Sequence, residues 1–220
     1  MNDIEFDEFA EGQTTILNTY SGPHHLASLL LQVGDTLLSS SVLKIPPPNG
    51  LDEFLWSNFL RSVAFRRPYL WINHRNAISA GYLNPGISSA VSFPTGAGKS
   101  TVAELKIASS LMSGGKVLFL VPTHALVSQV YRDLRNTFPD YDVRATALVD
   151  GEYAETEVAD LLDIAVLTPE RCLTQLGISP QSFAQLNLVV FDECHLIHPK
   201  SRVEDQRSLD SMFCLSLIHI

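Results

Sequence analysis

One loop constrains this chain more than any other feature: Pro94-Thr95-Gly96-Ala97-Gly98-Lys99-Ser100. It follows a short apolar run, Ala90-Val91-Ser92-Phe93, and opens a helical pattern at Val102-Ala103-Glu104-Leu105-Lys106-Ile107. Strand, glycine-rich loop and helix in that order are the setting of a phosphate-binding loop. Gly96 and Gly98 permit a turn tight enough for the backbone N–H groups to converge on an anion. The helix that follows adds the positive end of its dipole. Lys99 brings a point charge for the β- and γ-phosphates, and Ser100 a hydroxyl for Mg²⁺. Thr95, Ala97 and Thr101 complete the candidate nucleotide-binding set. Phe93 stands where the first glycine of G-x-x-x-x-G-K-[ST] is usual. A glycine turn that merely caps a helix accounts for the glycines, but not for Lys99-Ser100 directly after them.

A second box answers the first. Asn187-Leu188-Val189-Val190-Phe191 reads as a buried strand that ends in two carboxylates, Asp192 and Glu193. In a nucleotide site Asp192 holds Mg²⁺ through its water shell, and Glu193 polarises the attacking water. An isolated Asp-Glu at a strand end is commonly just solvated. The phosphate loop upstream is what makes a catalytic reading of the pair specific.

From Ser88 onward strands alternate with helices, with strands expected at 90–93, 116–121, 143–149, 163–167 and 187–191. The intervening segments carry helical periodicity; in 125–137, Leu126, Val130 and Leu134 share a face. This alternation predicts an α/β fold, a parallel sheet with helices on both faces. Ligands of such sheets sit beyond the carboxyl ends of the strands, and both boxes fall at that edge.

The first 87 residues read differently. Asp3, Glu5, Asp7, Glu8 and Glu11 make an acidic start expected to be mobile and solvated. Leu26, Leu29, Leu30, Val33 and Leu37 recur at helical spacing, interrupted by Gly34, for one or two helices. Pro46-Pro47-Pro48-Asn49-Gly50 breaks the chain. Asp52 then caps a helix whose apolar positions are Phe54, Leu55, Phe59 and Leu60. Arg61, Arg66, Arg67 and Arg75, with Trp56, Tyr69 and Trp71 nearby, suit either a nucleic-acid surface or, for the aromatics, a core.

The formal net charge of −9 means the whole molecule does not attract nucleic acid, so any contact must be local. Cys172, Cys194 and Cys214 are too few for a disulfide framework, which fits a reducing cytoplasm. Cys194, His195 and His198 do not have the spacing of a known zinc site. No apolar run reaches the roughly 18 residues of a membrane span, so a soluble protein without a membrane partner is expected.

At these residues the chain resembles a superfamily 2 helicase of the DEAD/DEAH-box type. Pro94 to Ser100 is similar to motif I, and Asp192-Glu193-Cys194-His195 is a DECH variant of motif II. Between them, Val121-Pro122-Thr123-His124-Ala125-Leu126-Val127-Ser128-Gln129 resembles motif Ia, and Leu167-Thr168-Pro169-Glu170-Arg171 motif Ib. Val149-Asp150-Gly151-Glu152 sits where many members carry a G-D turn. The loop wording and the following Val102-Ala103-Glu104-Leu105 lean toward the Ski-type and archaeal repair-type helicases. The resemblance implies ATP and Mg²⁺ as cofactors, His195 as the link from motif II to motif III, and DNA or RNA as partner. It assigns Pro122, Thr123, Thr168, Pro169 and Arg171 to the phosphates of a bound strand. Two departures stand out. His124 replaces a frequent arginine of motif Ia, and His74 or Asn73 stands where relatives place a glutamine that reads adenine.

The same resemblance divides the chain into a helical extension at 1–87, a RecA-like ATP-binding domain at 88–212 and a tail at 213–220. It implies a motif III strand between the motif I and motif II strands, after a helix starting near Val203. Phe213 to Ile220 is either a surrogate for that strand or the end of one helix, and Cys214 to Ile220 reads as non-native. A second RecA-like domain with its arginine fingers is expected to be missing, leaving these 220 residues nucleotide-binding but without useful catalysis. The competing function is a P-loop NTPase that never touches nucleic acid.

Overall fold

The computed structural model describes residues 4–8, 14–18, 21–94, 96–145, 163–192 and 206–218. Its centre is a strand, β3 (Lys116–Leu120), with paired neighbours on both sides. The strand β5 (Ile164–Leu167) lies along one side and β6 (Leu186–Phe191) along the other, both parallel to it. The short β4 (Val143–Ala145) pairs outside β5, also parallel, giving the order β4-β5-β3-β6. The expected α/β class with a parallel sheet is therefore what forms.

Alternation along these strands fills both faces. Val117, Phe119, Ile164, Val166, Leu188 and Val190 point into one apolar cluster, and Leu118, Leu120, Ala165, Leu167, Val189 and Phe191 into another. Helix α4 (Lys99–Met112) covers the first face with Leu105, Ile107, Ala108 and Leu111, and α5 (His124–Thr137) adds Val127 and Leu134. The second face is closed by α6 (Pro169–Ile178) through Cys172, and by α7 (Gln206–Ile218) through Cys214. A parallel sheet covered on both faces has no solvated side, so the middles of its strands are continuous apolar runs, 117–120, 164–167 and 188–191.

The turn from α4 into β3 shows how locally this geometry is written. Gly114 sits in the left-handed region at φ 76° just past the helix. The N–H of Gly114 bonds the carbonyl of Leu111, and that of Gly115 bonds Ser110, which together close a Schellman cap. At the start of β6 the register slips: Lys116 pairs with Leu186 but Val117 with Leu188, leaving Asn187 as an extra residue. Its side chain lies where a Cβ on Gly115 would be, so glycine is required there for space.

Three expectations are corrected. The run 90–93 forms no strand; Ala90 and Ser92 are exposed and Val91 half-buried. An apolar run becomes a strand only where a neighbour offers its backbone row. Among the described residues none lies between this run and β6, whose outer side is the edge of the sheet. Residues 206–218 supply a helix packed on α6 and no surrogate strand. Second, part of the acidic start is structured: β1 (Ile4–Glu8) pairs antiparallel with β2 (Thr14–Asn18), setting Phe6 opposite Ile16. The β-forming Ile4, Phe6, Thr15 and Ile16 outweigh the acidic residues between them. Third, the buried face of α2 (Glu53–Arg66) is Trp56, Leu60 and Val63, while Phe54 and Leu55 are exposed. The cap itself is as read, with the Asp52 carboxylate accepting from the Leu55 N–H at 2.9 Å.

The leucine-rich segment is one helix, α1 (Ser21–Ser40), running through Gly34. Beyond it, the extension does not fold apart from the sheet. Val42, Trp56, Leu60, Val63, Leu70 and Leu83 belong to the same apolar cluster as α4 and β3. Polar ties reinforce that contact. The Lys106 ammonium donates to the carbonyl of Asn84 at 2.6 Å, and Ser109 to that of Leu83 at 2.8 Å. Arg66 reaches the Thr137 hydroxyl at 3.0 Å. Arg67 donates to the Thr101 hydroxyl at 3.1 Å and to the Glu104 carboxylate at 3.0 Å. Two of the arginines offered for nucleic acid, exposed Arg66 and half-buried Arg67, thus bond to the fold itself, and Trp56 is core, 1% exposed.

Burial pushes the Glu104 carboxyl up, against the lowering pull of Arg67. The folded chain therefore holds that proton to higher pH than the unfolded chain, whose ordinary value is 4.5. Stability contributed at this site falls as pH rises above that value, because the charged form is the one burial disfavours. Glu104→Gln removes the titration. Denaturant melts from about pH 4.5 to about pH 7 should show the wild type losing stability relative to Glu104→Gln as pH rises. A gain across that range would reverse the sign assigned here.

Candidate nucleotide site and strand edge

The loop is positioned from both sides. Downstream, the three residues Ser113 to Gly115 turn the chain from α4 straight into β3, so α4 runs back along the sheet. Its N-terminus then lies at the carboxyl edge of β3. Asp192 follows β6 at that same edge, its N–H donating to the Leu120 carbonyl at 3.0 Å. Lys99 and Ser100, the first residues of α4, are exposed there. The fold thus brings the lysine, the hydroxyl and Asp192 to one rim of one sheet. Thr95, Glu193 and His195 lie outside the described residues, as does the turn 149–152.

Upstream, the loop rests on α3 (Ile72–Ser79). His74 on that helix is buried, 1% exposed, and its Nε2 lies 2.8 Å from the Ala97 carbonyl. Its ring also meets Phe93, centroid to centroid at 5.6 Å. Phe93, standing where the usual first glycine was missing, is therefore a packing partner of the loop's support. Gly96 and Gly98 both take positive φ, 78° and 76°. They differ in surroundings: a Cβ on Gly96 meets open space, whereas one on Gly98 would lie 2.7 Å from the His74 ring. Thr101, offered as a nucleotide ligand, is buried with its hydroxyl held by Arg67. That contact is one the sequence did not signal, since 34 residues separate the partners.

The two segments assigned to a strand also sit at the carboxyl edge. Thr123 and Thr168 are the N-caps of α5 and α6, their hydroxyls accepting from Leu126 and Arg171 at 3.4 Å. Thr168 is 2% exposed and Pro169 is buried, whereas Pro122, Thr123 and Arg171 are half-buried. At both places the surface offered to a strand is a helix N-terminal turn, whose N–H groups and dipole favour an anion. Among the described residues no cluster of His, Cys, Asp and Glu could hold a metal ion by itself. No helix among them is long and apolar enough to cross a membrane.

A parallel α/β sheet with a glycine loop at the head of one helix and an acid beyond a strand of the same sheet defines a P-loop nucleotide-binding protein. The chain belongs to the DEAD/DEAH box helicase family, which it matches over residues 72–216. It is 27% identical over 176 residues to the ATP-dependent DNA helicase Hel308 of Pyrococcus abyssi, covering 78% of this chain and 22% of that protein. To the human U5 small nuclear ribonucleoprotein 200 kDa helicase it is 31% identical over 166 residues, 70% of this chain and 8% of that one. Those relatives agree with the lean read in the loop wording. The fold also matches the helicase MrfA, solved bound to DNA and AMPPNP, with a TM-score of 0.50 at 20% identity over 68% of this chain and 22% of that one. The chain spans about a fifth or less of the length of these relatives.

Alanine at either loop glycine forces a left-handed backbone that costs roughly 1–2 kcal/mol. At Gly98 the His74 ring must also be displaced. Gly98→Ala should therefore lower the melting temperature distinctly more than Gly96→Ala; equal losses would mean the ring yields without cost.

Proposed function

We propose that this chain is the ATP-binding first motor domain of an ATP-dependent nucleic-acid helicase or translocase. The observation that carries the reading is the placement of Lys99 and Ser100 at the head of α4 and of Asp192 after β6, at one carboxyl edge. The loop N–H groups and Lys99 would bind the triphosphate, Ser100 and Asp192 would hold Mg²⁺, the latter through water. Glu193 would polarise the attacking water, and His195 would pass the state of the site to motif III. Mg²⁺ would supply charge neutralisation at the β- and γ-phosphates. Turnover would draw on an arginine finger from a second RecA-like domain, an effect of about 10³–10⁵ in rate.

The partner proposed is the backbone of DNA or RNA. Support comes from motif-like segments 121–129 and 167–171, which present two helix N-termini at the rim that carries the loop. A net charge of −9 leaves only such local contacts to hold a strand. Contacts of this kind position a strand without reading its sequence. A P-loop NTPase indifferent to nucleic acid accounts for the loop and Asp192, but not for the family match that runs through both segments.

Lys99→Ala should abolish MgATP binding by calorimetry, because the loop loses its cation. Glu193→Gln should keep binding and lose hydrolysis in a protein that has its second motor domain; normal turnover in that variant would remove Glu193 from the mechanism. Arg171→Ala should weaken binding of unrelated single strands by similar factors. It should also reduce the salt dependence by about one phosphate's worth of counterion. A loss confined to particular sequences would make Arg171 a base reader.

A further inference from the structure

Among the described residues His74 is the one buried imidazole, and the nucleotide reading leaves it without a task. Its ring lies against the loop on two sides: Nε2 is 2.8 Å from the Ala97 carbonyl, and Cε1 and Nε2 fill the place of a Gly98 Cβ. A carbonyl only accepts, so Nε2 must carry the proton. In the neutral ring Nδ1 is then a bare acceptor. It is buried and has no hydrogen-bond partner among the described residues. An orphaned buried acceptor is a cost the fold would shed if the ring were there only to fill space. A leucine would fill it without that cost.

The geometry shows what the bond achieves. The Ala97–Gly98 peptide is trans, since the described backbone contains no cis bond. In a trans peptide the C=O and the next N–H point in opposite directions. Drawing the Ala97 carbonyl toward α3 therefore turns the Gly98 N–H away from α3. Gly98, in the left-handed region, is the N-cap residue from which α4 starts. We propose that His74 is a positioning residue of the phosphate cradle: by holding the Ala97 carbonyl through Nε2–H, it fixes the orientation of the Gly98 N–H that meets a triphosphate. The inference rests on the nucleotide reading above. It assigns His74 to the phosphates and denies it a part in recognising the base, since one nitrogen is spent on the loop and the other is buried.

The test compares wild type with His74→Leu, which removes the donor, and His74→Gln, whose side-chain amide can donate from a similar reach. Binding of MgATP and of inorganic triphosphate with Mg²⁺ is measured by calorimetry on the full 220-residue chain. His74→Leu should weaken both ligands by the same factor, about tenfold or more, the weight of one hydrogen bond to a charged group. His74→Gln should keep inorganic triphosphate binding within a small factor of wild type. A loss for ATP with none for inorganic triphosphate would overturn the proposal, because His74 would then act on the base. Equal binding by His74→Leu overturns it too, while leaving the nucleotide reading intact. A wild-type chain that binds neither ligand defeats that reading and this inference together. Folding of the variants does not limit the test, because ¹⁵N-histidine spectra of the wild type report the tautomer directly. They should show His74 protonated at Nε2 and bare at Nδ1, assigned by through-bond correlation to the His74 backbone. Protonation at Nδ1 alone would leave Nε2 unable to donate to Ala97 and would refute the proposal.

Discussion

The structure depends on β3 more than on any other segment, because β3 must satisfy four boundaries at once. Its backbone pairs with β5 on one side and β6 on the other. Its side chains alternate into two separate apolar clusters. Five residues, Lys116 to Leu120, thus tie together two neighbouring strands and two helical layers. Every chemical group at the rim inherits its place from this strand. The loop is set by the turn back through α4, Asp192 by β6, and the caps Thr123 and Thr168 by the ends of β3 and β5.

The second constraint is the way the extension is fastened to the motor. It contributes Trp56, Leu60 and Leu83 to the core shared with α4. It then adds polar contacts along that helix and its loop: Arg67 on Thr101 and Glu104, Asn84 on Lys106, and His74 on Ala97. Helix α4 is therefore held by residues that precede the loop in sequence as well as by the sheet it covers. Glu104 is costly to bury, and burial keeps its carboxyl above its ordinary range even beside half-exposed Arg67. Solvent screens a pair with one exposed partner, so it adds little stability and serves to fix position.

The rim also separates exposed groups from buried ones. Lys99 and Ser100 are exposed at the head of α4, whereas Thr101, one residue on, is turned inward to Arg67. Thr168 is buried and caps its helix, whereas Arg171, three residues on, is half-buried on the outer turn. Neighbouring positions of one motif thus differ in burial: the cap residue Thr168 is inside, and Arg171 in the first turn is half-buried.

Much of the architecture was legible from residues alone, for local reasons. Continuous apolar runs at 117–120, 164–167 and 188–191 lie in strands because both faces of a parallel sheet are covered. The Asp52 cap and the glycine loop are written in side-chain chemistry a few residues long. The run 90–93 has the same apolar character and is not a strand, since pairing needs a neighbour that its own sequence cannot supply. The buried face of α2 went the same way: Phe54 and Leu55 are as apolar as Trp56 and Leu60, and only what packs against the helix chooses between them. His74, marked in the sequence only as a departure at one position, becomes a support of the loop through a contact 23 residues away. The sequence by itself determined the chemistry and the elements, because those follow from short-range patterning. The tertiary structure alone decided which apolar runs pair, which hydroxyls face inward and what holds the loop. Those outcomes are set by neighbours distant in the chain.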